Sequence, residues 1–123
     1  MEITKFSIDG TQVKQQPLTH ALEQNGFVLA EKWDYERVTY DLKINSPEQN
    51  ITYYLRLRGI AVEGSVDRGS ALIKLLTPLL GKHYYPHGVE YGEEDIPNNV
   101  LDRVDRVLAK VEEDLKQYQE DHA

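Results

Sequence analysis

The residues best suited to chemistry lie between positions 83 and 91. His83, His87 and Glu90 give the spacing H-x3-H-x2-E, and two imidazoles with one carboxylate suit zinc, iron or manganese. On a helix that spacing would set the imidazoles one above the other on a single face. Pro86 stands between them. A proline inside a helix removes a backbone donor and clashes with the preceding turn, which rules out the helical form of the motif. In an extended or looped segment the three residues can still converge, and a metal-dependent or acid–base enzyme built on this loop is the alternative reading. The simpler account has both imidazoles bonding to backbone or solvent, and no metal or other cofactor is expected.

The same stretch is rich in tyrosine. Tyr84, Tyr85 and Tyr91, with Trp33, Tyr53 and Tyr54 elsewhere, offer large contact area with a polar handle, as a ligand pocket or protein interface needs. Several of them can equally complete a small core. Trp33, Tyr35, His83, Tyr85, His87, Glu90 and Tyr91 are therefore taken as the candidate ligand- or partner-binding set. Arg37, Arg56, Arg58 and Lys74 fall on one face of the expected sheet, opposite its apolar side. They are expected to pair with Asp41, Glu36 or Glu63, or to face the acids of a second subunit. Nucleic acid is not an expected partner, because the chain carries a formal charge of -7 and shows no RNP-like element. A nucleophile elbow, a Walker loop and a dinucleotide fingerprint are also absent.

These residues need a scaffold, and 123 residues suffice for one domain, residues 1–123. The absence of cysteine removes disulfides and thiolate chemistry. With no signal-like N-terminus and no apolar run of membrane-spanning length, a cytoplasmic protein without membrane contact is expected.

Residues 1–16 read as a short edge strand or extended arm. Pro17, Leu18, Ala21 and Leu22 then predict a two-turn helix, capped by Gln16 or Thr19 and stopped at Asn25-Gly26. The period next becomes twofold: Val38, Tyr40, Leu42 and Ile44 alternate with polar residues, as do Tyr53, Leu55 and Leu57, which predicts an antiparallel pair. Gly59 is expected to mark a bulge or a close backbone approach, with a switch of the inward face. Residues 71–76 return to β character. Val100, Val104, Val107, Leu108, Val111 and Leu115 form the apolar stripe of a long helix, with Asp95, Asn98 and Asn99 as possible caps. That stripe packs on a sheet face or forms part of a dimer seam.

Three tracts, WDYERVTYD at 33–41, YYLRLRGIAVEG at 53–64 and TPLLGKHYYPHGVEYGE at 77–93, resemble the YugN-like family of small proteins from Bacillus-type bacteria. The resemblance implies a small cytoplasmic α+β protein and carries no established activity, cofactor or catalytic residue. It raises the question of whether the tracts meet: were residues 36–44 to lie beside 71–77, Trp33, Tyr35, His83, Tyr85 and His87 would cluster at one end of the sheet.

The sequence thus predicts a two-layer α+β domain, an antiparallel sheet of four to five strands with a short N-terminal and a long C-terminal helix on one face. Its function is unknown. The expected role is a non-catalytic binding or interaction module that self-associates as a homodimer and takes an unidentified protein or small-molecule ligand.

Overall fold

The structure, a computed structural model, describes residues 1–31, 36–46, 51–84, 88–90 and 96–118. These form seven strands, β1 (Gln12–Lys14), β2 (Val28–Glu31), β3 (Arg37–Asn45), β4 (Ile51–Glu63), β5 (Leu72–Leu75), β6 (Leu79–Tyr84) and β7 (Gly88–Glu90), two α-helices, α1 (Gln15–Gln24) and α2 (Asn98–Lys116), and a single 3-10 turn at Val66–Arg68. All seven strands join one antiparallel sheet.

The axis of that sheet is β4. Along one edge it pairs with β3 in unbroken register from Arg37↔Ile60 to Asn45↔Thr52. Along the other it pairs first with β6, from Ile51↔Tyr84 to Arg56↔Leu79, and then with β5, from Gly59↔Leu75. Between Leu75 and Leu79 the three residues Leu76–Pro78 oppose only Leu57 and Arg58. Strands β5 and β6 are therefore one line broken by a bulge, and Pro78, which has no N–H to give the ladder, sits where the pairing lapses.

The line outside β5 and β6 is assembled from pieces. β1 lies along β5, Glu2 bridges Leu79, and β7 lies along the end of β6. Met1 anchors the first residues through its ammonium group on the Leu80 carbonyl at 3.0 Å, and the Leu80 N–H returns a bond to the Met1 carbonyl at 2.8 Å. Seven strands thus make five rows, which is how a sequence suggesting four or five strands folds into more elements without a change of architecture. The N-terminal segment is arm and edge strand at once.

Alternation along β3 and β4 decides which face is closed. Val38, Tyr40, Leu42 and Ile44 of β3 and Tyr53, Leu55 and Leu57 of β4 are buried. They share one apolar cluster with Leu18, Ala21 and Leu22 of α1 and Val100, Val104, Leu108, Val111 and Leu115 of α2, so both helices cover the same face. Thr19 of α1 and the Tyr40 hydroxyl lie 2.6 Å apart, joining helix to sheet. Burial raises the Tyr40 pKa, opposed in part by that hydrogen bond and reinforced by Glu23. Gln15 is also buried: its amide donates to the Val66 carbonyl at 3.1 Å and its Oε1 accepts from the Ala71 N–H at 3.4 Å. Satisfying both ends of a buried amide in this way avoids the cost of leaving either bare.

The helix ends differ from expectation. Lys14, not Gln16 or Thr19, occupies the cap position of α1, because the helix begins at Gln15 and both expected caps lie inside it; the Lys14 side chain makes no cap bond, and Thr19 bonds instead to Tyr40. Pro97 precedes α2, so Asn98 and Asn99 are already helical; Asp95 lies outside the described residues. Gly26 takes φ 91° after α1, as a left-handed stop requires.

Gly59 fulfils one half of its expectation. A Cβ there would stand 2.3 Å from Ile73 Cγ2, a close approach that only glycine permits. There is no bulge at Gly59 and no switch of face, since Val38↔Gly59 continues the β3 register; the register shift against β5 falls later, between Ala61 and Glu63. No helix among the described residues is long and apolar enough to cross a membrane.

Candidate functional site

Of the seven binding residues proposed from the sequence, Trp33, Tyr35, Tyr85, His87 and Tyr91 lie outside the described residues, and Glu90 is described only as the last backbone position of β7. His83 is placed. It is half-buried opposite Thr52 and meets Tyr54 edge to face, with ring centroids 6.2 Å apart at 84°. Among the described residues no three His, Asp or Glu side chains gather as a metal would need.

The adjacency on which a single aromatic and histidine cluster would depend is not the one the sheet adopts. β4 stands between β3 and β5. His83 opposes Thr52, while Arg37, next to the segment bearing Tyr35, opposes Ile60. At about 3.3 Å per residue along β4, those positions are roughly 25 Å apart.

Register instead creates a site from residues the sequence reading had set aside as a charged face. The outward positions are Arg37, Thr39, Asp41 and Lys43 on β3, Tyr54, Arg56, Arg58 and Ile60 on β4, and Lys74 on β5 opposite Ile60. Asp41 opposes Arg56, and the guanidinium grips it with both arms: Nε donates to Oδ1 and Nη2 to Oδ2, each at 2.8 Å. Of the pairings expected for the four cations, this one is formed. The fork-and-fork geometry is the strongest arrangement available to these two groups.

One step along the same face the arrangement changes. Arg58 opposes Thr39, which carries no charge, and the Arg58 Nε is buried with no hydrogen-bond partner among the described residues. The main chain of Arg58 is fixed, since its carbonyl accepts from the Leu76 N–H at 2.9 Å. Beside it opens a cleft of about 410 Å³, lined by Arg37, Thr39, Arg58, Ile60 and Leu76 over a floor of Val38 and Gly59. Val38 and Gly59 belong to the inward phase of their strands, so the floor is the β3–β4 ladder itself. The bulge at Leu76–Pro78 brings Leu76 to the rim.

Among the described residues the cleft combines two guanidinium groups, one hydroxyl and two aliphatic side chains, a set that can hold an anion against an apolar wall. Sequence reasoning found the four cations and their shared face. It missed that one is locked by Asp41 while another faces a threonine, since this depends on the β3–β4 register.

Residues 4–120 match the YugN-like family. The chain belongs to that family. It is 44% identical over 120 residues to the uncharacterized protein YlbA of Bacillus subtilis strain 168, covering 97% of this chain and 98% of that one. It is 28% identical over 91 residues to the uncharacterized protein YugN of the same strain, covering 74% and 66% of the two chains. The crystal structure of the uncharacterized conserved protein YugN from Geobacillus kaustophilus HTA426 superposes with a TM-score of 0.82 at 44% identity, covering 95% of this chain and 96% of that one. All three of these relatives are described as uncharacterized.

Proposed function

We propose that this YugN-like protein is a non-catalytic binding module that presents the outer face of its sheet to an anionic ligand. The observation that carries the reading is a division of charge. The chain has a formal charge of -7, yet among the described residues the outward positions of β3, of β4 from Thr52 to Ile60, of β5 and of β6 hold Arg37, Lys43, Arg56, Arg58 and Lys74 against one acid, Asp41, with Glu31 of β2 at the position opposite Thr39. A basic face on an acidic protein concentrates positive potential where the rest of the surface repels anions. Both helices lie on the other face, so neither covers this one.

Titration with inorganic phosphate at constant ionic strength, followed by amide NMR, tests the reading. Support is saturable change at Thr39–Asp41 and Arg56–Ile60. Change that does not saturate, or that tracks every Lys and Arg including those of α2, contradicts it.

Self-association is a second reading, favoured by Val28 and Leu29, which are 63% and 36% exposed on β2 at the edge of the sheet. The register of β2 slips between Leu29 and Glu31, and such a bulge discourages strand-to-strand extension. Contact would therefore run through these side chains. Sedimentation should give twice the chain mass at micromolar concentration and a monomer for Val28→Lys; a monomeric wild type removes the idea.

A further inference from the structure

The cleft beside Arg58 has a composition more specific than a charged face requires. From its geometry we infer that it is a binding site for a small organic anion, with a carboxylate or phosphate headgroup on a compact apolar body, and that Arg58 is its anchor. The inference rests on the reading of the outer face as an anion-binding surface and names the position and class of the ligand.

Three observations carry it. The first is the contrast in partners: Asp41, opposite Arg56, is held by that arginine through two bonds of 2.8 Å, whereas Thr39 opposite Arg58 brings no counter-charge. The buried Arg58 Nε accordingly has a proton to donate and no acceptor among the described residues. A buried, charged donor left bare is costly, and an entering anion relieves that cost.

The second is the enclosure. About 410 Å³ lies within the range of small-molecule sites, and it is shaped by rigid parts: the β3–β4 ladder below, and Leu76 at a bulge fixed by its bond to the Arg58 carbonyl. A site on strands keeps its geometry with little ordering cost when the ligand arrives.

The third is the mixture of linings. Ile60 stands opposite Arg37 and diagonal to Thr39, while Leu76 flanks Arg58. An inorganic ion would use only the polar corner. A ligand with an apolar body also covers Ile60 and Leu76, so headgroup and body are recognised by adjoining walls. Arg37 adds positive charge at the mouth, and the Thr39 hydroxyl can donate to the same headgroup.

The experiment compares four probes on the full chain by amide NMR at constant ionic strength: phenyl phosphate, benzoate, inorganic phosphate and benzyl alcohol. Phenyl phosphate and benzoate are expected to bind saturably at Thr39, Arg58–Ile60 and Leu76, at least tenfold more tightly than inorganic phosphate, and benzyl alcohol not to bind there. The relative affinities of phenyl phosphate and benzoate assign the headgroup. Arg58→Gln, with a native spectrum, should lose at least tenfold in affinity for the tighter probe, and Arg58→Lys, which keeps the charge without the planar fork, should lose less. If Arg58→Gln does not fold, Arg58→Lys together with Arg37→Gln carries the test: undiminished affinity in both overturns the inference.

Equal affinity in wild type and a folded Arg58→Gln also overturns it, as does binding of benzyl alcohol with benzoate's affinity. Should inorganic phosphate bind the face while neither aromatic anion binds more tightly, the reading of the face stands and the cleft is not its site. Absence of saturable binding by any anion ends both.

Discussion

Arg56 and Arg58 are two residues apart on one face of β4, and the chain treats them differently. Asp41 opposes the first and Thr39 the second. Arg56 spends its fork on that carboxylate; Arg58 keeps a buried Nε without an acceptor among the described residues. The pair around Arg56 is a closed structural contact, and the cleft around Arg58 is an open one. Two like residues at equivalent phases of a strand can thus be scaffold and site, and the neighbouring strand decides which is which.

Changes beneath and between them sharpen the contrast. Leu57 lies between the arginines and is fully buried on the opposite face, so Leu57→Ala should lower unfolding stability in urea by about 2–5 kcal/mol. A loss below about 1 kcal/mol would mean that the core face is not closed as described. Gly59→Ala comes next: the added carbon meets Ile73 Cγ2, and overpacking of this kind costs about 1–3 kcal/mol, measurable as a shift of the urea midpoint.

Substitutions at the two arginines should then separate. A double-mutant cycle between Asp41→Asn and Arg56→Gln should give a coupling of about 1 kcal/mol; the side chains are 13% and 30% exposed, and solvent screening limits the gain. Arg58→Gln should change stability by no more than about 0.5 kcal/mol, or raise it slightly, because it removes an unsatisfied charge without orphaning a partner. Equal destabilisation by Arg56→Gln and Arg58→Gln would break the comparison.

The exposed pair on α2 supplies the weakest case. Lys110 and Asn25 both donate to the Asp114 carboxylate, at 2.7 and 2.9 Å. The Lys110 hydrogen bond, then that from Asn25, holds the Asp114 pKa below its ordinary value. Its contribution is present above the unfolded-state pKa and is lost as pH falls through the depressed folded-state value. Asp114→Asn should therefore flatten slightly the acid limb of a urea-midpoint profile and leave neutral-pH cooperativity unchanged.

Much of the scaffold was legible from periodicity. The alternation at Val38–Ile44 and Tyr53–Leu57 and the stripe from Val100 to Leu115 placed β3, β4 and α2 on the right faces, because burial on one side imposes those periods. Gly81-Lys82-His83-Tyr84 lacks such a pattern and reads as loop, yet β4 supplies its ladder and makes it strand. The bonding of Met1–Ile3 to Pro78–Leu80 joins segments whose partners Met1 and Leu80 are 79 positions apart and leaves no local trace. The cleft was hidden for a related reason: the four cations of its sheet face are plain in the sequence, but their inequality is a matter of register.

The most direct test uses the arginine side chains themselves. In a proton–nitrogen NMR titration with the tighter-binding of phenyl phosphate and benzoate, the Arg58 Nε–H resonance should shift saturably and become protected from exchange, while that of Arg56, already bonded to Asp41, stays in place. Movement of both resonances together, or of neither, would contradict the account.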